Sequence, residues 1–310
     1  MPELFGEWHE KSGVRRAPHR LFCDETDAGR VLFPASLMPY LGHPLIQNGD
    51  PGRVGVLQVA RLYDYLRFVA NLEAKVVNIG TLAVALDEFG LELPSPVRLD
   101  AWKIYCDEAH HAMSSYDMVN QVEAATGVPV LTYDFEPTLR ELRLAGAPLR
   151  GIPGLAGILD VVVFETVVTS LLSDIPADPT VVTAIREVVG DHARDERLHH
   201  AFYTRFFSHL WGRLDPATRE LAARALPGIM IACLRPDLPA FRRHLTAVGL
   251  GPPIADEILG ATYTDAVVLA DIRQSARHTL RMFALHGVFD LPGAREQFVK
   301  AGLLSDGDLR

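Results

Sequence analysis

The chain has little cysteine: Cys23, Cys106 and Cys233 are three in 310 residues, odd in number and far apart. They build no disulfide framework and fit a reducing compartment. Positive charge is also in deficit. Thirty Lys and Arg face 39 Asp and Glu, a formal net charge of -9, which argues against nucleic acid, whose phosphates need clustered cations. No stretch approaches the roughly 20 apolar residues that span a bilayer. The longest candidate, residues 161–172, carries Glu165 near its middle. The first residues include Glu3, Glu7 and Glu10 and show no apolar h-region, so no secretory signal is expected. Strand-like alternation is missing as well, which leaves an all-α class. With 48% hydrophobic and 22% charged residues, the composition is that of a globular protein, expected in the cytoplasm and away from membranes.

Proline and glycine break residues 1–52 into an irregular arm. From residue 54, apolar positions recur at helical spacing towards a turn at 90–96, and a second helix is expected from about 97 to 126. Residues 128–150 are ambiguous. A third helix is expected from about 155 to 173. The stretch 174–179 should stop it and supply the N-cap and first-turn proline of a fourth, ending near 211. Further helices are expected at 216–233, 237–248, 253–260 and 263–286, then a short tail. No clean linker divides the chain, so one domain is expected over 1–310: the arm, a bundle at 54–212 and accessory helices at 213–310.

Two Glu-x-x-His motifs are present and no others, Glu108–His111 and Glu196–His199. Positions three apart share a helix face, so each motif offers a carboxylate and an imidazole to one point. Singly, such a pair is more often a solvated helix face. The spacing alters that judgement. Glu73 stands alone in a largely apolar stretch 35 positions before Glu108, and the midpoint between them falls in the expected turn. Glu165, alone in an apolar run, lies 31 before Glu196, with the midpoint beside the proline-rich 174–179 stretch. Each helical hairpin therefore sets a lone Glu level with a Glu-x-x-His.

One Glu from each of two helices and Glu-x-x-His from each of two others is the di-metal carboxylate site of a four-helix bundle. The expected fold is all-α: a ferritin-like four-helix bundle core with additional C-terminal helices. An unpaired carboxylate in an apolar run would cost several kcal/mol, and two divalent cations cancel four such charges. Oxygen and imidazole donors suit iron, with manganese possible, better than a thiolate zinc site. The competing reading is a buried ion-pair network using Lys75 or Arg194. His192, four before Glu196, adds a third imidazole to the same stripe. His110 and His200 point about 100° away and are read as non-ligands, although His200 also lies at i+4 from Glu196. Asp107 and Asp195 each precede a motif glutamate; they would hold the far nitrogen of the opposite histidine, or be plain surface charge.

Residues 107–111 (Asp-Glu-Ala-His-His) and 192–199 (His-Ala-Arg-Asp-Glu-Arg-Leu-His), with Glu73 and Glu165 in order, resemble the p-aminobenzoate N-oxygenase family of di-iron proteins over about residues 54–212. The resemblance implies seven ligands to two Fe ions: Glu73, Glu108, His111, Glu165, His192, Glu196 and His199. It also implies a monooxygenase that uses O2 and an external electron donor to oxidise a small-molecule amine, an arylamine for preference, to hydroxylamine, nitroso or nitro, and a homodimer. A di-iron C–H hydroxylase or desaturase and a non-enzymatic iron-binding protein remain the alternatives. One turn from the ligands, Val69, Val76, Val77, Ile104 and Val161 predict an apolar substrate pocket with Thr169 and Tyr105 as polar handles, although core packing explains the same valines. No arginine stands there for a substrate carboxylate, so an acid such as p-aminobenzoate is not favoured.

Overall fold

The computed structural model describes residues 4–22, 27 and 29–305, and of 168–171 the helical backbone alone. Among these residues the fold is all-α, and the β pairing is one isolated bridge between Val31 and Val181. Two antiparallel hairpins form the bundle. In the first, α1 (Gly52–Leu86) runs along α2 (Ser95–Thr126); after α3 (Glu136–Ala145), α4 (Leu155–Leu171) packs on α5 (Thr183–Arg213). Beyond the bundle come α6 (Pro216–Leu234), α7 (Leu238–Ala247), α8 (Pro252–Thr262), α9 (Asp265–Leu285) and a further helix in the expected tail, α10 (Ala294–Lys300). The ambiguous 128–150 stretch contains α3.

The apolar pattern explains these positions. Helix α4 is apolar on every side, with residues 161–163 fully buried. Such a helix must be enclosed, and α5, α6 and α9 all pack on it. Helix α1 is long and apolar enough to cross a membrane by composition, a property the residue-by-residue reading passed over; 61% of its most apolar window is buried inside the protein. Along the bundle the apolar core is interrupted once. One cluster holds Val76, Ile104, Val161, Val167 and Phe202; the other holds Leu66, Met118, Leu172 and Val189. The level between them is where the four bundle glutamates fall.

Three features depart from the sequence expectation. First, α1 is not a uniform α-helix: Glu73–Val77 is a π-helical turn between two α-helical stretches. No Gly or Pro marks it, and such turns favour functional positions. Second, α5 starts at Thr183, and neither Asp174 nor Asp178 caps it. Asp174 opens a separate turn, Asp174–Ala177, and the N-cap residue Val182 has no polar side chain. The cap comes from the arm: Asp27 accepts from Thr183 N at 3.2 Å and from Thr183 Oγ1 at 2.8 Å. Third, the arm has only short helical turns, yet it is packed, with Phe5, Phe33, Met38 and Tyr40 at most 1% exposed.

Substituting a side-chain cap by alanine costs about 1–2 kcal/mol. Asp27→Ala should therefore lower the free energy of unfolding by that amount, seen as a lower urea midpoint, whereas Asp178→Ala should leave both nearly unchanged.

Candidate metal centre

Glu73 stands on the π turn of α1, Glu108 and His111 on α2, Glu165 on α4, and His192, Glu196 and His199 on α5. All seven are buried, none more than 5% exposed. They meet as two overlapping groups. Ligand atoms of Glu108, His111, His192 and Glu196 lie within 4.8 Å of one another, as do those of Glu108, Glu165, Glu196 and His199. Glu108 and Glu196 belong to both. Glu73 joins the first group, its Oε1 3.7 Å from His192 Nε2.

The rings turn one nitrogen each towards the shared carboxylates. His111 Nδ1 is 2.8 Å from Glu108 Oε2, His192 Nε2 is 3.0 Å from Glu196 Oε1, and His199 Nδ1 is 3.3 Å from Glu196 Oε1. The His111 and His192 rings stack at 3.9 Å. Several acceptors converge without a donor. Glu165 Oε2 and Glu196 Oε2 are buried with no hydrogen bond. Glu108 Oε1 lies 2.6 Å from His199 Nδ1 but outside hydrogen-bonding geometry. Buried acceptors are otherwise almost always satisfied, so this concentration marks a place shaped for cations. Lys75 does not supply them, being exposed over the Phe135 ring, and Arg194 pairs with Asp191.

Without metal, protons carry the compensating charge. Burial first, then the neighbouring glutamates, push the Glu73 and Glu165 carboxyls well above the usual carboxylate range. Burial and Glu196 press Glu108 upward too, but His199 and His111 outweigh them and hold it down at about 2. Glu196 is likewise held low against its burial by His199 and His192. Burial opposes protonation of His111 and His199, yet the facing carboxylates win, raising His111 to about 10 and His199 well above its ordinary value. Glu73, Glu165, His111 and His199 thus favour their protonated forms without metal, and four such protons match the charge that two divalent ions would bring.

The far nitrogens reach the preceding aspartates crosswise. His111 Nε2 is 3.2 Å from Asp195 Oδ2, and His199 Nε2 is 3.3 Å from Asp107 Oδ2. The arm then holds both aspartates. Trp8 Nε1 donates to Asp107 at 2.8 and 2.9 Å, and Gly13 N donates to Asp195 at 3.0 and 3.2 Å. Gly13 is required there, because a Cβ would collide with Asp195 Oδ2. Phe5 stacks on His199 at 6.0 Å. Sequence reasoning missed Phe5, Trp8 and Gly13, since no spacing links them to partners more than 90 residues away. His110 and His200 stand outside both groups.

A cavity of about 550 Å³ reaches this centre, and His111, His192 and Asp195 are in its wall. The arm closes one side with Gly13, Val14 and Arg20; Tyr65, Leu66, Val69, Val188 and Val189 form an apolar side. Of the pocket residues expected from sequence, Val69 lines it. Val76, Val77, Ile104 and Val161 are buried in the apolar core on the other side of the glutamates. Tyr105 is half-buried against Trp102, and the Thr169 side chain lies outside the described residues. A second cavity of about 560 Å³, with Lys75, Phe89, Leu142 and Asp160 in its wall, includes none of the seven residues.

Four bundle helices that gather carboxylates and imidazoles in a dry interior define the ferritin-like carboxylate class of protein. Within that class, the family model described as p-aminobenzoate N-oxygenase AurF matches residues 8–286. The chain belongs to this family. No curated protein matches it.

Loading the metal-free protein with two divalent ions at neutral pH should release about four protons, read by calorimetry in buffers of different ionisation enthalpy. Affinity should fall as pH drops, because the raised groups must lose their protons before ligating. Trp8→Phe, which deletes the donor on Asp107, should weaken Co(II) binding by about 10–100-fold while the metal-free protein keeps its unfolding midpoint.

Proposed function

We propose that the chain is an O2-dependent di-iron N-oxygenase. Glu73, Glu108, His111, Glu165, His192, Glu196 and His199 would hold the two ions. The observation that carries this reading is the pair of four-residue groups sharing two glutamates. The donor set fits iron: oxygen and imidazole atoms, several of them without partners, and no cysteine in either group. The bound ions supply the reduction of O2, which no amino-acid side chain performs.

The chain's own residues do the rest. The cavity wall of Tyr65, Leu66, Val69, Val188 and Val189 receives the body of the amine and excludes water, directing its nitrogen to the side of the centre where His111 and His192 stand. Asp107 and Asp195 keep the His199 and His111 rings turned towards the shared carboxylates. In the first round, one oxygen atom of O2 goes to nitrogen, giving a hydroxylamine. The other leaves as water, taking two electrons from an external donor and two protons. Further rounds lead to nitroso or nitro products.

His192 sets the first group apart by giving it a second imidazole, which favours transfer to a nitrogen lone pair over attack on a C–H bond. His192→Ala should lower metal occupancy and cut N-oxidation at least tenfold, with metal analysis and product chromatography on an amine panel as readouts. Full metal load with full N-oxidation would remove His192 from this role. Products oxidised only at carbon would turn the reading to a C–H hydroxylase, and iron uptake without any organic product to an iron-binding protein.

A further inference from the structure

The charges around the cavity set a limit on what enters it. Arg20 is the one lysine or arginine among the described lining residues, against Asp117, Asp191 and Asp195. Each of its three guanidinium nitrogens donates to an acid. Arg20 Nε and Nη2 donate to Asp191 at 2.9 and 3.3 Å, and Nη1 donates to Glu187 at 2.9 Å. Asp191 also accepts from Arg194 at 3.0 Å, so two arginines and two acids close a neutral network. Asp117 lies 2.8 Å from His19 Nε2 and accepts from Gln121 Nε2 at 2.6 Å. Asp195 is held by Gly13 and His111.

A carboxylate brought into this space would be desolvated, and among the described lining residues every lysine or arginine is already paired with an acid, so none stands free to receive it. Neutral polar groups are better served. Tyr65 Oη and His110 Nδ1 are both buried without hydrogen-bond partners, and both residues line the cavity. The apolar wall, with Met113 added, suits a ring.

We infer that the amine oxidised here is a neutral arylamine carrying an uncharged hydrogen-bonding substituent, and that an aminobenzoate, the acid in the family's name, is excluded by charge. Tyr65 and His110 are the groups that would meet the substituent. This inference rests on the N-oxygenase reading for the chemistry, and on the cavity alone for the choice of ligand.

The test uses 4-aminobenzamide and 4-aminobenzoate, similar in shape and different in charge. Binding is measured first on Zn(II)-loaded protein, which does not turn over, and N-oxidation second on iron-loaded protein. The amide should bind at least tenfold tighter than the acid, about 1.4 kcal/mol, and show the same preference in kcat/KM. Asp117→Lys, a change at a half-exposed position on the cavity wall, should narrow the binding ratio at least tenfold in favour of the acid. Equal or tighter binding of the acid by the unaltered protein overturns the inference, as does failure of both ligands to bind. Preferential binding of the amide with no oxidation of any amine upholds the charge selection and removes the N-oxygenase reading instead.

Discussion

Four glutamates that share one dry level of a helical bundle dominate the energetics of this protein. Each carboxylate alone would be costly to bury, and together they repel. Fold and sequence accommodate them by gathering three imidazoles at the same level and by splitting the apolar core into clusters above and below. The raised carboxyls and imidazoles favour protons that offset this charge, and the same groups are placed so that divalent cations could offset it instead. The same requirement explains why Glu165 lies in a run of buried apolar residues, Val161 to Phe164 and Val167: α4 carries this carboxylate into the interior.

The Glu-x-x-His doublets made much of this legible. Helical spacing placed carboxylate and imidazole together, and the hairpin midpoints set Glu73 beside Glu108 and Glu165 beside Glu196, so the fold class and the gathering of the glutamates followed from local periodicity, while the family came from the resemblance of the motifs themselves. Periodicity has limits, which the structure exposes. The π turn at Glu73–Val77 shifts the register of α1 without any residue type that announces it. The one-turn rule for pocket residues selected Val69, which lines the cavity, and Val77, Ile104 and Val161, which sit in the apolar core. Those side chains do flank the ligands, but α4 and its neighbours fill that side with apolar packing, and open space lies on the other side, by His111 and His192.

The arm was least legible of all. Composition describes it correctly as poor in regular structure, and irregular backbone is easily mistaken for loose backbone. Its contacts are made one residue at a time: Asp27 on the start of α5, Trp8 on Asp107, Gly13 on Asp195 and Phe5 on His199. None repeats, and all join positions at least 90 apart in sequence. Only a solved arrangement of the bundle reveals what an indole N–H or a missing Cβ is for. The family match begins at residue 8, so it takes in Trp8 and Gly13 along with the ligand motifs.

These arm contacts also tie the cavity to the centre. Gly13 stands in the cavity wall and on Asp195, and Asp195 in turn holds His111, itself in the wall. The arm beside Val14 and Arg20 is thus linked, through a single backbone N–H on Asp195, to an imidazole facing both shared glutamates. Arg20, anchored to Asp191 one residue before His192, gives the arm a further hold on α5. The arm that shapes the cavity thus also steadies the rings on that side of the centre, so side chains there are constrained by the ligand and by the imidazoles at once. An arginine freed to bind an acid would loosen that hold on α5, and this sets a physical reason against carboxylate recognition at Arg20 apart from the charge of the wall.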